Sequence, residues 1–349
     1  MVSDRVYLNM SFVGQRITGQ QRFATEISRR LGGRSVVVPV FVPSWVRWSP
    51  LRWLWVQLIL PVRTWRGTLV SLTTRAPVVH PRHIVAIHDL FPLTNPEWFS
   101  ARFASVQAFV LKAHLRSAKT IVAVSEPVAE QVRALAKRAP EVIVIPNAPS
   151  EIFTADGPDT SGVLERLDLT SGSYFLVVGS RDPRKNLSRV VSAYGTLSAE
   201  ERARTPLVVA GTESSIFERE NISWPDGTVH IGYVTDDELV DLYRNARATV
   251  FASLAEGFGL PVVEAAACGS PLILSDIPVF RWLCGEAATY VDPHDTASVA
   301  AALRSSLRGR SRENEAGLRV VSQRFSWDRS AGRLLETITG SLRSERPIG

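Results

Sequence analysis

Two glutamates, Glu256 and Glu264, bracket the run Gly257-Phe258-Gly259-Leu260-Pro261, and the Ala-rich stretch Ala265-Ala266-Ala267 follows. The pattern reads as strand, tight loop and helix. Gly257 and Gly259 let the backbone pass close to a ligand. Pro261 suits a helix start, where a missing N–H costs nothing. Loop N–H groups and a helix N-terminus then make a site for an anion or for sugar hydroxyls. Glu256 meets such a ligand from the loop and Glu264 from the helix. The plainer alternative is a tight turn carrying two solvated acids.

Three other turns carry reactive residue types. Gly179-Ser180-Arg181-Asp182-Pro183-Arg184-Lys185-Asn186 sets three cations beside a glycine before a helix, a pattern suited to clamping a diphosphate. Its alternative is a solvated basic turn. His88 ends an apolar run and precedes Asp89. There it can donate to a sugar hydroxyl or to developing charge, or cap its own turn with Asp89 as partner. Gly19 opens a helical pattern in which Phe23, Ile27 and Leu31 share a face, and it allows a phosphate or an acceptor to come close.

The elements that must position these residues are short apolar strands separated by helical lengths. Strand-like runs cover residues 6–8, 36–42, 84–87, 120–124 and 142–145, then 174–178, 207–210, 249–252 and 272–274. This alternation predicts βαβ units with parallel sheets. The Gly- and Pro-containing stretch 155–173 reads as a linker. The expectation is therefore two doubly wound α/β domains, residues 1–170 and 171–327, with a helix at about 328–345 packing back onto the first. In such sheets ligands bind beyond the carboxyl ends of the strands, where the turns above fall.

At 349 residues, 45% apolar and 21% charged, the composition is that of a globular protein able to bury two cores. Two cysteines provide no disulfide framework, and six scattered histidines show no metal-ligand spacing. No cofactor or metal is expected. The start Met1-Val2-Ser3-Asp4-Arg5 has no apolar leader, so a cytoplasmic location is the expectation. The net charge of +6 favours anionic partners. Because the basic residues sit in turns rather than in one stripe, nucleic acid is not expected. Residues 45–65 hold five tryptophans beside Arg47, Arg52, Arg63 and Arg66. This segment is too short to span a bilayer, and it suits an anionic membrane surface or, alternatively, a core helix with an arginine-bearing outer face.

Glu256-Gly-Phe-Gly-Leu-Pro-x-x-Glu264-Ala resembles the signature of retaining glycosyltransferases of family 4, the mannosyltransferase-like group of the GT-B fold. The resemblance implies two doubly wound Rossmann-like domains facing a central cleft, the first for the acceptor and the second for a nucleotide-diphosphate sugar. Its catalytic residues become His88, Glu256 and Lys185. Donor binding falls to Gly19, Gly179, Lys185, Tyr233, Val234, the backbones of Phe258, Gly259 and Leu260, and Glu264 at the ribose. The family's first clamp arginine is here Ser180, so Arg181 or Arg184 takes that part. Two more departures are Val56 where the family often has Glu, and Trp282 where an acid often follows the arginine. The implied reaction is metal-independent transfer of a hexose, mannose from GDP-mannose by analogy, to a glycan or lipid-linked glycan. The implied location is the cytoplasm, peripherally at the inner face of the membrane. Alternatives are a nucleotide-sugar epimerase or phosphorylase of the same fold, or a non-catalytic sugar- or nucleic-acid-binding module.

Overall fold

The computed structural model describes residues 5–15, 18–46, 49–179, 182–211, 222–309 and 312–344. The chain divides into two compact units. The first comprises Met1–Pro96, Ala101–Asn147 and Ser326–Gly349, and the second Glu97–Ser100 and Ala148–Phe325.

The first unit is built on β1 (Val6–Asn9), β2 (Val37–Val40), β3 (Thr68–Ser71), β4 (His83–Ile87), β5 (Thr120–Ala123) and β6 (Glu141–Val144). Their order is β2-β1-β3-β4-β5-β6, and every pair is parallel. The second unit carries β7 (Phe175–Val178), β8 (Leu207–Ala210), β9 (Thr228–Gly232), β10 (Ala248–Phe251), β11 (Leu272–Ser275) and β12 (Thr289–Val291). Here the order is β12-β11-β10-β7-β8-β9, again all parallel. Inner strands β3, β4, β5, β8, β10 and β11 are buried along their whole length, as a sheet covered on both faces requires. Edge strands β2, β6 and β9 are only partly buried. Strands β3, β9 and β12 are additional to those read from the sequence. Each mixes polar residues into a run of three to five, which weakens the apolar signal.

Residues 148–170, assigned to the first domain by the linker reading, pack with the second unit. The buried Asp241 carboxylate accepts the N–H groups of Thr160 and Ser161 and the Ser161 hydroxyl at 2.6–3.1 Å. The last helix, Trp327–Ser344, lies in the first unit against the helix Gly19–Leu31. Arg30 meets Asp328 at 2.6 Å, the Trp327 and Phe23 rings are 6.1 Å apart, and the Ser330 hydroxyl donates to the Pro146 carbonyl.

Candidate active site

In the second sheet the winding reverses between β7 and β10, because β8 follows β7 on one side while β10 lies on the other. A crevice opens beyond the carboxyl ends of strands at such a point. The loops that leave β7 and β10 bring Lys185 and Glu256 together.

After β7 the chain makes one tight helical turn, Pro183–Lys185, started by the buried Asp182. Its Oδ1 accepts the Arg184 N–H at 3.0 Å. Its Oδ2 takes Nε and Nη2 of the Arg184 guanidinium at 2.9 and 2.5 Å. Arg184 is therefore tethered to its own turn. Asn186 then adopts a left-handed conformation with φ of 56°, and its Nδ2 donates to the Ala252 and Pro293 carbonyls at 3.0 and 2.7 Å. The Leu254 N–H donates to the Arg184 carbonyl at 2.7 Å. These bonds fasten the basic turn to the ends of β10 and β12.

The Lys185 ammonium lies 2.6 Å from Glu256 Oε1, and the Ser253 hydroxyl donates to the same oxygen at 2.9 Å. Burial pushes the Glu256 carboxyl up. The charges of Lys185 and Arg184, with the hydrogen bonds from Lys185 and Ser253, outweigh that and hold it below the usual carboxylate range. At neutral pH the pair is ionic.

Gly179 packs against the Lys185 stem: a β-carbon built there would sit 3.6 Å from Cγ. The Gly179 N–H donates to the Ala210 carbonyl at 3.0 Å, and the Gly211 N–H donates to Gly232 at 2.7 Å, lacing the ends of β7, β8 and β9. Gly211 is indispensable to this lacing, since a β-carbon on it would fall 1.7 Å from the Gly179 carbonyl oxygen. Beyond β9, Tyr233 is 77% exposed, so it is no core residue, while Val234 is half-buried.

The helix Leu260–Ala267 starts from Gly259 at φ +91°, where a β-carbon would press to 3.0 Å on Phe280 and 3.2 Å on Leu283. Pro261 is its second residue rather than its first. Among the described residues, no acceptor takes the N–H groups of Phe258, Gly259 or Leu260, as expected where a helix begins. The Phe258 side chain is buried edge-on against Trp282 and Phe325, with ring centroids 6.1 and 5.5 Å away, so only its backbone faces the turn. This aromatic cluster accounts for Trp282. Arg281 instead turns to the Asp276 carboxylate at 2.7 and 2.9 Å and stacks over Tyr290. Glu264 is buried midway along the helix.

Gly19 and His88 belong to the first unit. Gly19 is the first residue of its helix, and nothing would meet a β-carbon there within 4 Å. His88 is buried, with its ring edge-on to Phe23 at 5.1 Å. Its Nε2 lies 2.9 Å from the Leu72 carbonyl, which can only accept, so Nε2 carries the proton. Burial pulls the ring down to about 4, so the imidazole is neutral at pH 7. Nδ1 is then an acceptor. This corrects the expectation that His88 donates to a sugar or to developing charge. Nor is Asp89 seen holding it: Asp89 caps the Phe91 N–H at 3.3 Å. Val56, at the other departure, is fully buried beside Trp55, Leu60 and Leu69.

Ser180 and Arg181 lie outside the described residues. Sequence reasoning passed over Asp182, Asn186, Ser253 and Gly211 as site-building residues. For Asp182 and Asn186 the signal was an Asp before Pro and an Asn at a helix start, both turn-forming types. Ser253 and Gly211 left none. Among the described residues, no three His, Cys, Asp or Glu side chains are grouped to hold a metal ion.

Residues 168–319 match the family described as Glycosyl transferases group 1. The O-antigen chain mannosyltransferase B of Escherichia coli is 30% identical over 256 residues, covering 71% of this chain and 67% of the relative. The chain belongs to the group 1 glycosyl transferases. The serotype-specific mannosyltransferase WbdA, also of Escherichia coli, is 28% identical over 311 residues, and the chain spans only 37% of WbdA's length. A sucrose-phosphate synthase from Thermosynechococcus elongatus superposes with a TM-score of 0.74 at 16% identity, covering 97% of this chain and 99% of that one. The two Rossmann-like domains are those of a GT-B glycosyltransferase. This group 1 transferase is an enzyme that moves a sugar from a nucleotide-sugar donor to an acceptor hydroxyl.

Proposed function

We propose that this glycosyltransferase moves mannose from GDP-mannose, with retained anomeric configuration, to a hydroxyl of a glycan or lipid-linked glycan. The observation that carries the reading is the Lys185–Glu256 pair at the winding reversal of the second sheet, beside a turn into a helix where, among the described residues, no acceptor takes the N–H groups of Phe258, Gly259 and Leu260. Two Escherichia coli relatives named as mannosyltransferases, one of an O-antigen chain, support the donor and the acceptor class.

In this reading Lys185 and the N–H groups of Phe258, Gly259 and Leu260 receive the diphosphate and the hexose. The bond from the sugar's anomeric carbon to the β-phosphate oxygen breaks, and its electron pair leaves with the phosphate. Lys185 and the helix N-terminus stabilise that growing charge. The acceptor hydroxyl attacks from the same face and passes its proton to the departing phosphate oxygen. Glu256 orients the hexose. His88 accepts a hydrogen bond from a sugar hydroxyl through Nδ1. Glu264 takes the ribose hydroxyls, and Tyr233 and Val234 flank the base. Gly179 and Gly19 let the phosphates pass close. Arg181 takes the part of the clamp arginine, since Arg184 is held by Asp182. The enzyme works in the cytoplasm at the inner face of a membrane and takes no nucleic acid.

The test is a panel of nucleotide sugars with release of the nucleoside diphosphate as the signal, followed by NMR of the product's anomeric proton. GDP-mannose is expected to turn over fastest and to give the α-linked product. Preference for another nucleotide sugar overturns the donor, and an inverted anomer overturns the stereochemistry.

A further inference from the structure

Residues 49–64 form one continuous helical segment: an α-helix Ser49–Leu54, a π-turn Trp55–Ile59 and an α-helix Leu60–Thr64. Its outward face is the reverse of an ordinary surface helix's. From residue 50 to residue 62, every exposed side chain is apolar: Pro50, Leu51, Trp53, Leu54, Leu58, Ile59 and Val62. The polar side chains of that stretch turn inward. Arg52 donates to the Ser11 and Val13 carbonyls, and Gln57 donates to Ala76 and accepts from the Val78 N–H. Trp55, Val56 and Leu60 fill the core beneath. The segment therefore has apolar side chains on both faces, and the outer set includes Leu58 at 61% and Val62 at 74% exposure.

At the C-terminal end, Tyr7, Val62, Arg63, Trp65 and Arg66 line a shallow groove, aromatic and basic together. Trp45, 77% exposed, stands before the other end. The surrounding chain is one-signed. There is no Asp or Glu between Glu26 and Asp89, while nine arginines fall in that span. An apolar strip bordered by tryptophan and arginine, with no acid near it in sequence, matches an anionic bilayer surface: acyl chains meet the leucines, indoles sit at headgroup depth, and phosphates meet the guanidinium groups. A folded protein partner would be met by a rim of mixed charge instead. Among the described residues no helix is long and apolar enough to cross a membrane, so the segment lies on the surface rather than through it.

We propose that the outward face of residues 50–66 docks the first unit onto an anionic membrane, with Leu51, Leu54, Leu58 and Val62 inserted and Arg63 and Arg66 on lipid phosphates. The proposal is independent of which donor the enzyme uses. It is tested by sedimentation of the whole protein with phosphatidylcholine vesicles, with and without about one-third phosphatidylglycerol. Wild type is expected to pellet with the anionic vesicles, to be released at high salt, and to stay in solution with the neutral ones. Leu58→Ser with Val62→Ser is expected to cut binding at least about tenfold with unchanged far-UV circular dichroism. Arg63→Glu with Arg66→Glu, both changes at exposed positions, is expected to do the same, and it decides the matter should the first variant fail to fold. Wild type that ignores anionic vesicles overturns the proposal, as does a folded Arg63→Glu/Arg66→Glu protein that pellets like wild type. A dimer by light scattering that Leu58→Ser/Val62→Ser dissociates, without vesicle binding, assigns the face to a second copy and overturns it equally.

Discussion

Lys185 Nζ and Glu256 Oε1 meet at 2.6 Å across 71 residues of chain, and each is the other's charge partner. The carboxylate and the ammonium thus cannot be changed independently. Glu256→Gln keeps a hydrogen-bond acceptor for Lys185 while removing the charge. Turnover is expected to fall roughly 10²–10³-fold, with nucleoside diphosphate affinity held or improved. Calorimetric titration beside steady-state kinetics checks the split. An equal loss of affinity contradicts it.

Lys185→Ala removes the cation bonded to the buried Glu256 and leaves it the Ser253 hydroxyl and the charge of Arg184. Loss of one partner of a buried pair costs about 3–5 kcal/mol, somewhat less here because the lysine is partly solvated. Donor affinity should fall as well, by about 10-fold or more. Restoring most of the thermal stability with Lys185→Ala/Glu256→Gln, but not the affinity, separates the two effects.

Asn186→Ala removes both bonds that fasten the basic turn to Ala252 and Pro293, and leaves two buried carbonyls short of a donor. A loss of about 2–3 kcal/mol in stability is expected, together with weaker donor binding. Unaltered binding in the folded variant would mean the turn holds its place without that anchor.

Gly259→Ala forces an L-residue to φ +91° and drives its β-carbon onto Phe280 and Leu283. About 1–3 kcal/mol of strain is expected, read as a lower melting temperature. Gly211→Ala should be worse, because a backbone oxygen and not a side chain stands in the way.

Acid should unfold the first unit before its carboxylates protonate. His80, His83 and His114 pack edge to face in a row, with ring centroids 6.0 and 5.5 Å apart, and burial lowers all three. His88 and His114 fall to about 4. The unfolded chain binds these protons first, near 6.5, so stability is lost as pH falls from 6.5 towards 4. At pH 5 each of the two removes about 2 kcal/mol. Glu256 has the opposite lowered-carboxylate behaviour: its contribution persists above the ordinary carboxylate range and is lost only as pH falls below it. Urea midpoints measured between pH 7 and pH 5 test this. In parallel, the His88 ring should show no NMR titration between pH 8 and pH 5.

The strand–loop–helix at Glu256 was legible because glycine, proline and apolar residues there act locally. The same is true of the tight turn carrying Lys185. What escaped was long-range. Nothing near Asp241 in sequence announces that it collects Thr160 and Ser161, so a polar, Gly-rich stretch looked like a linker. Trp282 made no sense until Phe258 and Phe325 stood against it. The direction of the His88 hydrogen bond depends on a carbonyl after β3, a strand that the sequence reading lacked.

The π-turn at Trp55–Ile59 makes the segment sensitive to length in a way no single side chain is. In it the Leu60 N–H reaches the Trp55 carbonyl, one residue further than an α-helix allows. The wider turn absorbs that extra residue, so the two flanking helices keep nearly the phase of an uninterrupted α-helix. Keeping the residue while closing the turn to regular α geometry would rotate Leu60–Thr64 by up to about 100° relative to Ser49–Leu54. Leu60 would then swing out of the core. A one-residue insertion that stayed in α geometry would therefore be felt as a change of surface, though it adds almost nothing to the composition.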